Sequence, residues 1–286
     1  MNTTRHLIIL MCGISVSLPS LSSLSQIVSP ENVTFVGAER VAAQLKSTVF
    51  AVQVAQTNQN TTNWTVLGTG FMLDRSNNTF AITCDHIVSA ADRLFTQPGF
   101  QKAIFAGFDT RSNGYMRFEC KLVYRDGNSD VAVLTPLSLY SLTTNGAREL
   151  FPVKTLKVVQ DMFGDDSSIV EGRGLLIIGY PLGLGIEANE NNPIVRFGMV
   201  AQAFAANHNT FLIDGMASHG NSGSPVISLT VPHAFLIGMA TGFRNESINL
   251  LAENGQAVAA LPYNSGIAYA VKLSVILKDV DEAMKH

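Results

Sequence analysis

The sequence predicts an all-β fold closed by a single C-terminal helix. Three observations carry this expectation. Short apolar runs rich in β-branched and aromatic residues recur from Ser47 onward, clusters of turn-forming residues separate them, and only the final segment places apolar residues at helical spacing. At 286 residues the chain is long enough for two modest barrels, or one large β unit, to bury a core. Hydrophobic residues make up 47% and charged residues 14%, the balance of an ordered chain rather than a disordered one. The formal net charge is −3 and no block of Lys or Arg occurs, so no electrostatic footprint for nucleic acid or an anionic membrane is present.

The first residues carry one basic side chain, Arg5, then an apolar run from Leu7 to Val16 and a Ser-rich stretch to Ser25. This is the layout of a signal peptide over residues 1–25, with cleavage near Ser25 or nearer Ser20, and it predicts a secreted or periplasmic protein. Cys12 follows Met11, a poor residue before a lipid-modified cysteine, which leaves a lipoprotein as the minor alternative. The run is too short to span a bilayer, and no later segment reaches the ~20 apolar residues of a spanning helix. Residues 26–46 form an N-terminal extension with no pattern to argue from.

Strand runs follow at "STVFAVQVA", "VLGTGFMLD", "TFAITCDHIV", "CKLVYRD" and "DVAVLTPL", making a first unit over residues 47–140. "Asp-Arg-Ser-Asn-Asn-Thr" between the second and third is a hairpin loop. A polar, acidic stretch over residues 141–174 is the natural linker. A second unit over residues 175–286 resumes with "LLIIGYP", "IVRFGMVAQAF", "TFLIDGM", "SPVISLT", "AFLIGMATGF" and "GIAYAVK". It ends in "LSVILKDVDEAMKH", where Leu273, Ile276, Leu277 and Val280 share one helical face. Period alone does not decide between sandwich and barrel.

Beyond the signal, Cys84 and Cys120 remain; they could form one disulfide or stay as two part-buried thiols. Neither has a Cys or His partner at ligand spacing, since Cys84 and His86 are one residue too close, so no metal and no other cofactor is expected.

The sharpest local signal is Gly220-Asn221-Ser222-Gly223-Ser224-Pro225. Glycines on both sides let the backbone turn tightly, so that Ser222 projects while the N–H groups of Gly220 and Ser222 converge as an oxyanion hole. Such preorganised donors are worth about 3–4 kcal/mol each in the transition state. A serine hydroxyl needs a base. Among the six histidines, His86 lies at the end of an apolar strand, where a core-anchored backbone holds a ring at a cleft edge, whereas His219, three residues before Ser222, is placed to line the substrate cleft. The imidazole needs an acceptor on its other nitrogen, and Asp130 leads into the apolar strand "Asp-Val-Ala-Val-Leu". Taken singly, each admits an ordinary reading as a turn, a structural histidine or a turn carboxylate.

In the order His86, Asp130, Ser222 they resemble the HtrA/Deg branch of the trypsin-like serine peptidases, from about Ser47 to the C-terminus. "GTGFMLD" resembles the Gly-Ser-Gly-Phe strand of that branch, "AITCDHIVSAAD" its histidine segment and "KLVYRDGNSDVAVL" its aspartate segment. "LLIIGYPLGLG" is similar to its Ile-Gly-Asn-Pro-x-Gly turn, "IDGMASHGNSGSPV" to its nucleophile loop and "GIAYAV" to its Gly-Ile-Gly-Phe-Ala strand. The resemblance implies two perpendicular six-stranded antiparallel β-barrels of the chymotrypsin/trypsin-like fold. The active site would lie between them, with His86 and Asp130 from the first and Ser222 from the second. It also implies a serine endopeptidase acting on polypeptides through an acyl-enzyme. Relatives form trimers through N-terminal segments, so a homo-oligomer is an open expectation. They also carry PDZ domains after the protease domain, and with the chain ending at His286 none is expected here.

Departures from the family pattern shape the remaining expectations. Asp85 puts a second carboxylate beside the base and predicts a shifted pH dependence. Ser224 replaces a glycine, as in glutamyl endopeptidases, yet Gly238-Met239-Ala240-Thr241 lacks the histidine those enzymes use for glutamate. Met216 stands where Lys/Arg-specific relatives carry an acid. Cleavage after a small or medium apolar residue is expected, with Met216, His219, Met239, Ala240 and Thr241 forming the pocket. A catalytically silent HtrA-like binding or chaperone module is the main alternative. An α/β-hydrolase fails on Ser224, where its motif needs Gly, and on residue order.

Overall fold

A computed structural model describes residues 34–58, 61–110, 114–138, 140–142, 148–150, 158, 160–184, 192–204, 207–230, 233–251 and 256–286. The signal-peptide segment, residues 26–33 of the extension and most of residues 143–157 of the linker lie outside these.

Helix α1 (Thr34–Leu45) leads into β1 (Val49–Asn58), β2 (Thr61–Arg75) and β3 (Asn78–Thr83). Helix α2 (Asp85–Phe95) follows, then β4 (Ile104–Thr110), β5 (Gly114–Asp126) and β6 (Val131–Ser138). These strands close a six-stranded barrel in the order β1-β2-β3-β6-β5-β4, with Ala51 opposite Gly107 at the seam. Strands β7 (Tyr140–Leu142) and β8 (Arg148–Leu150) pair separately. The second barrel uses β9 (Gly174–Gly179), β10 (Ile194–Gln202), β11 (Thr210–Asp214), β12 (Pro225–Thr230), β13 (His233–Leu251) and β14 (Ala257–Lys272). It closes in the order β10-β11-β14-β13-β12-β9. Helix α3 (Leu273–Ala283) ends the chain. The architecture is therefore all-β, two six-stranded antiparallel barrels with a C-terminal helix.

Local chemistry accounts for these elements. The β2–β3 hairpin turns on Ser76 and Asn77, both at positive φ (50° and 63°), as a two-residue turn matched to strand twist requires. Every residue of β1 from Val49 to Ala55 is buried, because one face fills the barrel and the other is covered by packed neighbours. The core spans both units: Phe50, Phe71 and Ile82 of the first barrel belong to one apolar cluster with Leu176, Ile178 and Met239 of the second. Helix α3 buries Leu273, Ile276 and Val280 as its spacing predicts, and it ties back to the first barrel. There the Arg75 guanidinium donates twice to the Asp281 carboxylate (2.9 and 2.8 Å).

The structure adds elements that the apolar runs did not reveal: β4, α1 and α2, and the long extension of β13 with β14. That extension keeps Ile248 paired with Leu261, both exposed.

Candidate active site

Asp130 is placed by the turn after β5. The Asn128 N–H donates to Asp126 Oδ1 (2.9 Å), and the chain then passes through Asp130 at φ +58° before entering β6. A non-glycine residue in that region costs about 1–2 kcal/mol and persists where surrounding bonds over-determine it. Here they do. The Asp85 N–H donates to Asp130 O (3.2 Å), and the His86 N–H donates to Asp130 Oδ1 (2.9 Å). The His86 ring places Nδ1 at 2.8 Å from Oδ2 and 3.0 Å from Oδ1. With a carboxylate on Nδ1, that nitrogen carries the proton and Nε2 is left as the acceptor facing the cleft.

His86 was expected at a strand end; it lies in the first turn of α2. The strand stops at Thr83, and Ile87, Val88 and Ala91 then bury one helical face, a period of three to four that a strand cannot present. Asp85, expected to act on the base, is instead held by Arg125, whose Nε donates to Asp85 Oδ1 at 2.5 Å. The same guanidinium reaches Asp92 (2.9 Å) and Ser89 (2.6 Å).

Ser222 sits on the loop into β12. Gly220 (φ +90°) and Gly223 (φ +88°) bracket it in conformations that disfavour side chains, and a Cβ on Gly223 would stand 1.8 Å from Thr69 O. Thr69, fully buried on β2, seats this loop. Its N–H donates to Ser222 O (2.9 Å), and its hydroxyl donates to Gly220 O (2.7 Å) while accepting from the Tyr180 N–H (2.9 Å). Among the described residues, the N–H groups of Gly220 and Ser222 have no intramolecular partner, and both residues line the same cleft of about 470 Å³ as His86 and Asp130. The Ser222 hydroxyl donates to Thr241 O (2.9 Å) rather than to the His86 ring. The hydroxyl of Ser224 is fully buried and has no hydrogen-bond partner among the described residues, at the position where the resembled family carries glycine.

Behind the aspartate, Cys84 is buried and free, as is Cys120. Burial, reinforced by the charge of Asp130, pushes the Cys84 thiol well up; burial pushes the Cys120 thiol up to about 12. The donor atoms of Cys84, His86 and Asp130 lie within 4.8 Å of one another, a spacing a metal ion could bridge. A protonated thiol is a poor ligand, however, and the imidazole and carboxylate already engage each other.

Of the expected pocket residues, His219 lines the cleft, with its ring edge-on to Phe243 at 5.2 Å. The side chain of Met216 is 61% exposed. Met239 and Ala240 are both buried, on opposite faces of β13 and in different apolar clusters, and neither lines the cleft that holds Ser222. Thr241 contributes its carbonyl. The sequence reading missed Thr69, Arg125, and Arg196, which donates to Met216 O (2.5 Å) and Ser218 Oγ (3.3 Å). "GTGF" pointed at the strand that carries Thr69; nothing local marked the other two.

The trypsin-like peptidase domain model matches residues 68–232, more than half of the chain. The chain belongs to the trypsin-like peptidase domain family. Within its matched region this trypsin-like peptidase domain holds His86, Asp130 and Ser222. It is similar to the Serine protease Do-like HtrA of Bacillus subtilis (strain 168), 24% identical over 213 residues. That match covers 72% of this chain and 40% of the relative, so it spans well under half of the relative's length. Among solved structures, an HtrA-type protease AlgW with decapeptide matches with a TM-score of 0.56 at 16% identity, covering 87% of this chain and 68% of the other. A substituted form of the same protease with decapeptide gives 0.52. At such identity these neighbours bear on the fold, and they agree with the two barrels.

Proposed function

We propose that this trypsin-like peptidase domain is a serine endopeptidase. The observation that carries the reading is the His86–Asp130 pair, at 2.8 Å, sharing one cleft with Ser222 and two unspent backbone N–H groups. In this reading the Ser222 hydroxyl leaves Thr241 O and donates to His86 Nε2 across the cleft that both residues line. His86 then takes the proton as Oγ attacks a peptide carbonyl, Asp130 stabilises the imidazolium, and the Gly220 and Ser222 N–H groups hold the oxyanion. His86 returns the proton to the departing amine, and water cleaves the acyl-enzyme by the same path.

Cleavage after small or medium apolar residues fits the absence of an acid at Met216 and of a histidine in Gly238–Thr241. The apolar N-terminal run supports secretion or a periplasmic location, and no helix among the described residues is long and apolar enough to cross a membrane. Homo-oligomer formation stays a proposal from the resemblance alone.

A second reading has one observation in its favour: the Ser222 hydroxyl is bonded to Thr241 O, as in a silent binding module or a resting state. A fluorophosphonate probe with and without peptide substrate tests the proposal. Labelling at Ser222, lost in Ser222→Ala, supports the peptidase. An unlabelled protein under both conditions supports the silent module.

A further inference from the structure

Arg125 of β5 grips three side chains of α2. Its Nε donates to Asp85 Oδ1 (2.5 Å), Nη1 to Asp92 Oδ2 (2.9 Å) and Nη2 to Ser89 Oγ (2.6 Å). Asp85, Ser89 and Asp92 stand at i, i+4 and i+7, so they share one face of the helix. We propose that Arg125 is a positioning residue for the base: its guanidinium fixes the rotation of α2 about its own axis, which aims His86 at Asp130, and it balances the Asp85 charge beside the imidazole. The proposal rests on the peptidase reading.

Geometry carries the first half. Cys84, at the N-cap of α2, makes no side-chain capping bond, and the N–H groups of Asp85 and His86 go to Asp130 instead. Ile87, Val88 and Ala91 seat a second face of the helix in the core, and at 3.6 residues per turn His86 stands on the flank away from it. Apolar contact has no preferred direction, so that face alone would let the helix roll. A planar fork anchored on a barrel strand and bonded at three points does not. The roll matters because His86 Nδ1 sits 2.8 Å from Asp130 Oδ2, and a misplacement of about 1 Å in a catalytic group can cost about 10²-fold in rate.

Charge carries the second half. Among the described residues, the ionisable groups lining the cleft with His86 are Asp85 and Arg93 of α2, Asp130 of the turn after β5, and His219 of the nucleophile loop. Cys84 lies behind them, its thiol held protonated by burial and by the charge of Asp130. Two unbalanced carboxylates would favour the imidazolium, and a protonated base cannot accept the serine proton. Arg125 sets a cation against Asp85. Its hydrogen bond to Asp85, then that to Asp92, raises the guanidinium pKa further against the cost of burial, so the counter-charge persists at every assay pH.

The test reads the base with and without catalysis. In the Ser222→Ala protein, NMR follows the titration of the His86 ring proton, assigned by its loss on adding His86→Gln. Adding Arg125→Gln should raise the midpoint by about half a pH unit, because the bared Asp85 carboxylate favours the imidazolium, and adding Asp85→Asn as well should restore it. Asp85→Asn without Arg125→Gln leaves the cation unbalanced and should lower the midpoint; this variant carries the charge test if Arg125→Gln does not fold. In the protein that keeps Ser222, Arg125→Gln should move the acid limb of kcat/KM to higher pH by the same amount. Its plateau kcat should fall about ten-fold with KM changed less than about two-fold. Arg125→Lys keeps the charge but not the fork, so the limb should stay in place while kcat still falls. A midpoint unmoved in a folded Arg125→Gln or Asp85→Asn protein, or a plateau kcat within about two-fold of wild type in either folded Arg125 variant, overturns the proposal. A wild type that cleaves nothing while the midpoints move as stated would sink the peptidase reading and leave the action of Arg125 on His86 standing.

Discussion

At the scale of single residues, two side chains do what neither could do by proximity in sequence. Asp130 orients His86 through both carboxylate oxygens while its own backbone is held in a left-handed conformation. Replacing it by Asn should leave the fold intact but present the wrong hydrogen-bonding face to Nδ1. Steady-state kinetics of Asp130→Asn are expected to show kcat lowered about 10⁴-fold; a loss below ten-fold would argue that the pair is structural. Thr69 has the opposite profile, being buried and reaching the nucleophile loop through that loop's backbone alone. Thr69→Val keeps the shape and strips the hydroxyl, removing its hydrogen bonds with the Tyr180 N–H and the Gly220 C=O. Each buried group left without a partner costs about 1–3 kcal/mol. Urea unfolding should show a loss of that order, and turnover should fall with it because the Gly220 peptide is no longer pinned. "GTGF" announced the strand but not this hydroxyl, whose partners lie 111 and 151 residues away.

At the scale of elements, α3 connects the end of the second barrel to the aspartate turn of the first. Asp279 is 3% exposed and accepts from Ser129 Oγ at 2.9 Å, one residue before Asp130. Burial raises its pKa, with Asp126 and Glu282 adding to the rise against the hydrogen bond from Ser129 and the charge of Lys278. Tyr124 of β5 also feels this carboxylate. The folded state thus holds the Asp279 proton more tightly than the unfolded chain does. Its contribution to stability is fully present below the unfolded carboxylate value of about 3.9 and is lost as pH rises through the raised folded value. Asp279→Asn keeps an acceptor for Ser129 and cannot ionise. Thermal unfolding from acid to neutral pH should show the variant gaining on wild type as pH rises, and a constant difference would contradict this. The spacing of Leu273, Ile276 and Val280 made the helix legible, yet nothing in that spacing marks Asp279 as buried. Its burial depends on β5 and β6, whose approach no local pattern encodes. In α2 the strand-like composition of "FAITCDHIV" hid a boundary at Cys84, which only the Ile87, Val88, Ala91 face reveals.

At the scale of the whole molecule, the two barrels meet along a shared core and divide the site between them. His86 and Asp130 come from the first; Ser222, its glycines and Thr241 come from the second. Twelve strands closing into two barrels follow from the recurrence of half-buried runs, but closure itself depends on pairings such as β1 with β4, distant in sequence. His86, Asp130 and Ser222 stood out in the sequence because their order and flanking segments resemble the HtrA/Deg branch, although each taken singly admits an ordinary reading. The walls of the cleft did not, since they are assembled from separate elements, Leu67 of β2, Ile87 of α2 and His219 of the loop before β12.

The central claim is that the site works as one unit, and turnover of Ser222→Ala measures it most directly. A peptide library hydrolysed by wild type and by a pure Ser222→Ala preparation should show a loss of about 10⁶-fold in turnover. Hydrolysis retained in the variant at anything near the wild-type rate would contradict the account.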